Sequence, residues 1–529
     1  MSFAQRGLIP ATLAFILVIV ASVYSLPPCG RDDEECRDKR MHPNFITPKG
    51  REFTGTVDGE DTNDYWHNQS KDFIKAKLAE TLNTNKAKNV ILFLGDGMGV
   101  TTHTAARNLI GGQEKYLAFE KFPYTGLSKT YCVDRIVSDS ATTATAYLCG
   151  VKAIKGTIGV CGQVEREDCE SVLNTTNHVY SIAKWAMDAG KAAGVVTTTR
   201  ITHASPAGNY AHVSERDWED DSEVKASCGV DSKVPDIAYQ LINGEDGSKL
   251  SVMMGGGKKH FIDASLYMNG TRSDGLNLIA QYQQESARNA FVETISELNN
   301  LELNNYDRLL GIFADNHLQY HLETDEYTKQ PTLEQMTRKA LEFLSKKQQG
   351  FFLFVEGGRI DTAHHKNMAR LALDETVEFS KAIQAARELT SEEDTLIVVT
   401  ADHSHAFTYA GYQYRASDIF GSAPKTPLDD KPYLSLSYAN GPSYAKFYDV
   451  ENHERRDPTL LMTGDIHETF PATAPLDSET HGGDDVAVFA SGPWAHLFTG
   501  VYEQNTIPHI MAFASCLSDG VTMCDINSS

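Results

Sequence analysis

Short apolar runs recur along the chain, and glycine, acid or histidine follows or precedes each one closely. Asn89–Leu94 is such a run and ends in Gly95-Asp96-Gly97-Met98-Gly99. Gly194–Thr199 leads to His203 and Ser205, Phe351–Val355 to Glu356, and Leu396–Thr400 to Asp402 and His403. Val486–Ala490 lies shortly after His481. Runs this short and this apolar predict strands buried on both faces. Between them the spacing turns helical, at Asp64–Leu82 (through Trp66, Phe73, Ile74, Leu78 and Leu82), at Leu333–Lys346 and at Arg370–Arg387. Strands alternating with helices predict an α/β fold, a mostly parallel central sheet sandwiched by helices. Ligands bind such sheets outside the carboxyl ends of the strands, which is where the acids and histidines fall. Residues 411–479 break the rhythm with Tyr, Pro, Gly and charge, and are expected to form an inserted subdomain.

A chain of 529 residues can bury a large core, and its formal net charge of -23 argues against nucleic acid or an anionic membrane surface as partner. If the substrate is an anion, the attraction must be local, and bound divalent cations would supply it. Residues 1–25 read as a signal peptide, with Arg6 before an apolar stretch Leu8–Val23 and a small residue, Ser25, at the cleavage point. Residues 26–88 read as an N-terminal arm and amphipathic helix, and residues 89–529 as the catalytic part. No stretch after the signal is long enough to span a membrane. Nine cysteines fit an oxidising compartment. Cys29/Cys36 and Cys516/Cys524 are close pairs, Cys169 and Cys228 can bridge, and Cys132, Cys149 and Cys161 remain. Sequons at Asn68, Asn174, Asn269 and Asn527 agree with secretion.

The candidate chemistry is organised around Val137–Tyr147, VSDSATTATAY. Ser140 stands between Asp139 and a run of small residues suited to the first turn of a helix, where free N–H groups and the dipole favour anions. Asp96, between two glycines at a strand end, can bridge two metals. In Glu356-Gly-Gly-Arg-Ile-Asp361-Thr-Ala-His364-His365, a helix starting near Asp361 puts Asp361 and His365 on one face, a carboxylate and an imidazole suited to zinc. Glu356 offers oxygen to a harder ion such as magnesium. Asp402 and His403 supply a second zinc, while His405 is placed to orient a ligand carboxylate. His481 can complete the first zinc site, Ser205 can offer its hydroxyl to magnesium, and Arg216 can take phosphate bidentately.

Together these residues resemble the animal alkaline phosphatases. The likeness runs from about Asn89 to Cys524 through the motifs GDGMG, DSA, THASPAG, FVEGGRID, TADHSH and ETHGGDDVAVFA. It implies a secreted, homodimeric hydrolase of phosphate monoesters, with broad substrate range, an alkaline optimum and a phosphoserine intermediate at Ser140. It implies two zinc ions and one magnesium ion per chain. One zinc would be held by Asp361, His365 and His481, the other by Asp96, Asp402, His403 and the Ser140 oxygen, and magnesium by Asp96, Ser205 and Glu356. Arg216 would clamp the phosphate, oriented by Asp139, with His203 retained near magnesium. Three divalent cations would outweigh the carboxylates of Asp96, Glu356, Asp361 and Asp402, leaving a positive pocket on an acidic chain. Residues 411–479 would match the family's crown subdomain and the N-terminal helix its dimer contact. Thr362 departs from a histidine usual near magnesium, and Ser478 from an acid usual at the pocket mouth. The family's fourth, calcium site is expected to be absent or weak, because Lys258–Asp263, Ala314 and Gln330 stand where its acids are expected. The end at Asp525–Ser529 carries no apolar tail of the kind exchanged for a glycolipid anchor. The alternatives are a phosphodiesterase or sulfatase of the same superfamily, and a catalytically dead secreted binding protein.

Overall fold

A computed structural model describes residues 33–41, 57–325, 327–415, 417–426, 428–517 and 522–526. The signal segment, most of the arm, Cys29 and Asn527 lie outside the described residues. The central sheet has ten strands: β1 Asn89–Gly95, β2 Tyr124–Lys129, β3 Ala192–Arg200, β4 Val252–Gly256, β5 Asn289–Val292, β6 Arg308–Ile312, β7 Phe351–Gly357, β8 Thr395–Thr400, β9 Val486–Ser491 and β10 Gly500–Glu503. Their order is β10-β2-β9-β8-β1-β7-β3-β4-β6-β5. Every neighbouring pair is parallel except the two that β9 makes, antiparallel to β2 and to β8.

Side chains in β1 alternate between two cores. Val90, Leu92 and Leu94 join a cluster on one face of the sheet, and Ile91 and Phe93 join another on the opposite face. Phe352 and Phe354 of β7 fall in the first cluster, and Phe351, Leu353 and Val355 in the second. A strand apolar at every position is therefore what a sheet covered on both sides requires. The register then sets the site. Leu94 pairs with Glu356 on one side and with Thr400 on the other, and Thr197 of β3 also pairs with Glu356. Asp96, Glu356 and Asp402 accordingly emerge from adjacent strand ends at one edge of the sheet.

The helices that matter here are α1 Asn63–Ala79, α2 Ser140–Cys149, α3 Leu333–Leu344, α4 Arg359–His364 and α5 Ala369–Leu389. Thr62 caps α1, its hydroxyl accepting from Tyr65 N–H, and the chain turns extended at Glu80, so the helix stops three residues short of the expected end at Leu82. No residue of α1 is buried. Thr332 and Gln335 form a reciprocal cap at the start of α3. The periodicity misses β2, β4, β5, β6 and β10, whose four to six residues are half-polar, glycine-bearing or very short. Among the described residues, 411–479 give no strand to the main sheet. Leu436–Gly441 there pairs with Phe407–Tyr409 and Ala472–Pro475 in a separate three-stranded sheet. Cys169–Cys228 and Cys516–Cys524 are disulfides, and Cys132, Cys149 and Cys161 are free thiols.

The turn after β1 depends on glycine. Gly97 has φ +71°, and a Cβ there would overlap His405 Nε2 and lie 3.2 Å from Asp361 Cα. Gly97→Ala should therefore destabilise the fold by about 1–3 kcal/mol through overpacking and the left-handed backbone. Denaturant unfolding of the purified variant checks this, and an unchanged midpoint would contradict it.

Candidate active site

Ser140 is the first residue of α2, and all ten residues of that helix are buried. Asp139 is its N-cap, accepting from Thr142 N–H at 3.4 Å. The same carboxylate accepts from Gly156 N–H at 3.1 Å and from Arg216 Nη1 at 3.0 Å. Burial alone would raise the Asp139 carboxyl, but the Arg216 charge and these hydrogen bonds hold it below the usual range. Arg216 is thereby fixed beside the start of α2, and its Nη2 donates to His203 Nε2 at 3.2 Å. Since that nitrogen accepts, His203 is neutral, and burial with the adjacent Arg216 lowers it to about 3.

Ser140 Oγ lies 3.2 Å from His403 Nε2 and 3.4 Å from Asp96 Oδ1. His403 Nε2 is 3.0 Å from Asp402 Oδ2 and 3.7 Å from Asp96 Oδ1. Asp402 Oδ1 accepts from Gly97 N–H and His403 N–H, each at 2.9 Å. A second group gathers around Asp361 Oδ1, with His365 Nε2 at 3.3 Å, His481 Nε2 at 3.4 Å and His405 Nε2 at 2.8 Å. A third brings Asp96, His203 and Glu356 together. Asp96, Ser205, Glu356, Asp361, Asp402, His403 and His405 are all buried.

The hydrogen bonds test whether metal ions fit. His365 Nδ1 faces Glu479 O at 2.6 Å, His481 Nδ1 faces Ser138 O at 2.8 Å, and His403 Nδ1 faces Ser404 O at 3.2 Å. A carbonyl oxygen only accepts, so each Nδ1 carries a proton and each Nε2 is turned toward the carboxylates, free to bind a metal once it gives up any proton it shares with them. That is the orientation a metal-binding imidazole needs. His405 differs. Its Nδ1 meets Glu479 Oε2 at 2.5 Å and its Nε2 meets Asp361, so it holds the Asp361 carboxylate in place with both nitrogens engaged. Burial pulls the His405 imidazole down, but Glu479 and Asp361 outweigh it and push it up to about 10.

The third group is rich in oxygen. Asp96 Oδ2, Ser205 Oγ and Glu356 Oε1 are buried without a hydrogen-bond partner. The other Glu356 oxygen accepts from Thr197 Oγ1 and, at 3.0 Å, from Thr199 Oγ1. Burial pushes Glu356 up to about 7, and burial with the Asp402, Asp361 and Glu356 carboxylates raises Asp96 well above its ordinary value. Orphaned buried oxygens and destabilised carboxylates are what a hard divalent cation relieves. The donor sets therefore fit metal ions, two with mixed nitrogen and oxygen ligands and one with oxygen.

The structure brings all thirteen expected site residues into one region. Asp402 keeps Oδ2 within 3.0 Å of His403 Nε2 while its Oδ1 takes two backbone N–H groups. The sequence reading overlooked Glu479, Thr197, Thr199 and Gly156. Glu479 stands two residues before His481, where its motif could have flagged it. The threonines lie inside the β3 run, where nothing in the pattern separates them from core.

A parallel sheet carrying three buried metal-ligand groups beside a serine at a helix N-terminus defines a metal-dependent hydrolase. Residues 87–517 match the family model for alkaline phosphatase, and the chain belongs to that family of phosphate-monoester hydrolases. It is 44% identical over 506 residues to the membrane-bound alkaline phosphatase of Bombyx mori, covering 92% of this chain and 91% of that protein. It is 44% identical over 513 residues to the human tissue-nonspecific isozyme, covering 92% of this chain and 96% of that one. Among solved structures, the enzyme of the Antarctic bacterium TAB5 shares the fold, with TM-score 0.57 and 24% identity over 82% of this chain and all of that one. The Thermus thermophilus alkaline phosphatase does so at TM-score 0.59 and 22% identity, over 84% and 96% of the two chains.

Glu479→Gln should lower divalent-metal affinity by about 10–100-fold, because it removes the anchor that holds His405 against Asp361. Competition with a chromogenic chelator measures this, and wild-type affinity in the variant would contradict it.

Proposed function

We propose that the chain cleaves phosphate monoesters by covalent catalysis at Ser140, with two zinc ions and one magnesium ion per chain. The observation that carries this reading is the placement of Ser140 Oγ. It starts a buried helix, lies within 3.4 Å of His403 and Asp96, and has the Asp139-held Arg216 beside it. Asp361, His365 and His481 would hold one zinc, and Asp96, Asp402 and His403 the other. Asp96, Ser205 and Glu356 would hold magnesium, since their unpartnered oxygens form the hardest donor set. When bound, these ions supply Lewis acidity at the serine, leaving-group and water oxygens.

The chain's own residues supply the rest. Arg216 presents two N–H donors to the phosphate oxygens and is kept from rotating by Asp139 and His203. The first N–H groups of α2 add partial positive charge at the attacked phosphorus. The Ser140 oxygen attacks, the alcohol leaves with a proton, and water then cleaves the phosphoserine. Few groups beyond the phosphate contribute to this machinery, which supports a broad substrate range. Thr362, in place of a family histidine, accepts from Arg359 Nη1 at 3.0 Å and meets Tyr320 Oη at 3.2 Å, so its hydroxyl serves that network.

The coarser setting follows the same line. Two disulfides support an extracellular enzyme, and no described helix is long and apolar enough to cross a membrane. The face of α1 bearing Phe73, Ile74 and Leu78, 63%, 55% and 82% exposed, supports a homodimer contact. Residues 411–479, with their own sheet, support a crown-type insertion. A weak calcium site is supported by Lys258, whose ammonium pairs with Glu293 at 2.7 Å, and by Asp315, whose oxygens accept from Tyr267 and Asn269.

Ser140→Ala should retain metals and fold but lose at least several orders of magnitude in kcat. Near-normal turnover would overturn the phosphoserine route. Wild-type rates on a monoester and a diester of one chromogenic alcohol test the reaction class, and faster cleavage of the diester would move the chain to the phosphodiesterases. His481→Ala should lower both zinc per chain and activity, and an unchanged zinc count would show that another group completes that site.

A further inference from the structure

The rim of the site is built by two segments that Asp134 ties together. Asp134 Oδ1 accepts from Lys155 N–H at 2.9 Å, and Asp134 Oδ2 pairs with Arg135 Nη1 at 2.9 Å. Val133 N–H also donates to Ala153 O at 3.0 Å. Both segments are anchored to the catalytic groups. Gly156, next to Lys155, donates its N–H to the Asp139 carboxylate that holds Arg216. Arg216 N–H returns a bond to Gly156 O at 2.8 Å. On the other segment, Ser138 O accepts from His481 Nδ1, and a Cβ at Gly483 would lie 3.1 Å from Val137. Lys155 thus adjoins the residue whose N–H holds Asp139, and Arg135 stands three residues before the one whose carbonyl holds His481, which puts both beside the mouth of the site.

Their charges are disposed differently from those of the neighbouring cations. The Lys152 ammonium donates to Tyr131 O at 2.8 Å and pairs with Glu503 at 3.0 Å. Arg166 is bound to Glu215 through two nitrogens. The Lys155 side chain is exposed and, among the described residues, makes no hydrogen bond or ion pair. Arg135 is 61% exposed in its side chain and shares one carboxylate with the Lys155 backbone. Arg135 and Lys155 thus present positive charge to solvent on a chain of net charge -23.

We propose that Arg135 and Lys155 form a second anion subsite, which favours phosphate monoesters whose leaving group carries a further negative charge. It rests on the reading of Arg216 as the phosphate clamp. The phosphate occupies the metal-ligand pocket, the leaving group points outward, and an anionic substituent on it meets these two cations. Exposed charges of this kind act mainly through encounter and weak binding, so the effect is modest and screened by salt.

The test uses the metal-loaded full chain and two substrates of matched shape, 4-carboxyphenyl phosphate and its neutral amide, 4-carbamoylphenyl phosphate. The readout is the ratio of their kcat/KM values. Lys155→Ala and Arg135→Ala should each lower the ratio by up to about fivefold at low salt. Lys155→Glu should lower it further, and 0.5 M salt should shrink the wild-type ratio toward that of the variants. A ratio that stays the same across all three variants overturns the subsite. Loss of both substrates in wild type would instead overturn the monoesterase reading itself, and the two failures are told apart by turnover of the amide.

Discussion

Four buried carboxylates crowded at one edge of a parallel sheet are the constraint on which the rest of this structure depends. Asp96, Asp361 and Asp402 have fractional exposures of 5% or less, as does Glu356. Placed so close without counter-charge, they cannot all ionise, and the strong upward displacement of Asp96 expresses that conflict. The imidazoles relieve part of it. His365 and His405 draw Asp361 below its ordinary value against the burial that would raise it, and His403 does the same for Asp402, to about 2. What remains is a set of buried, unpartnered oxygens beside inward-turned Nε2 atoms, which divalent cations would satisfy. Metal binding is thus coupled to the stability of the sheet edge as well as to chemistry.

The same arrangement explains how an acidic protein can attract an acidic substrate. Net charge acts over the whole surface and is screened within about 10 Å at 0.1 M salt. The site is governed by charges within a few ångströms of Ser140. Helix α2 points its N-terminus at this spot, Asp139 fixes Arg216 there, and Gly156 fixes Asp139. The parts proposed to bind the phosphate are held by backbone N–H groups and by one buried ion pair, with little freedom left to reorganise.

The chain divides its labour between rigid and irregular parts. Asp96, Glu356 and Asp402 ride on strand ends and Asp361 on α4, packed between two cores, whereas His481 comes from outside the main sheet. The residues around the mouth come from loops, namely 131–138 and 152–156, stitched to the site by single hydrogen bonds such as His481 Nδ1 to Ser138 O. Such a division lets the rim vary in charge and shape without disturbing the metal-ligand geometry.

Much of this was legible in the sequence, because the physics is local. A strand buried on both faces is apolar along most of its length, so β1, β3, β7, β8 and β9 announced themselves, and the acids and histidines beside them marked the ligand edge. Asp139-Ser140 declared a capped helix start, because capping is decided within three residues. The short strands β2, β4, β5, β6 and β10 carried no such pattern, since a strand that borrows stability from its neighbours needs little of its own. Only the tertiary structure decided that Glu479 holds His405, that Thr197 and Thr199 support Glu356, and that Asp402 divides its oxygens between backbone and site. These are contacts between residues up to 305 positions apart, and hydrogen-bond geometry across such a distance is fixed by strand register and packing, which leave no mark on the local order of amino acids.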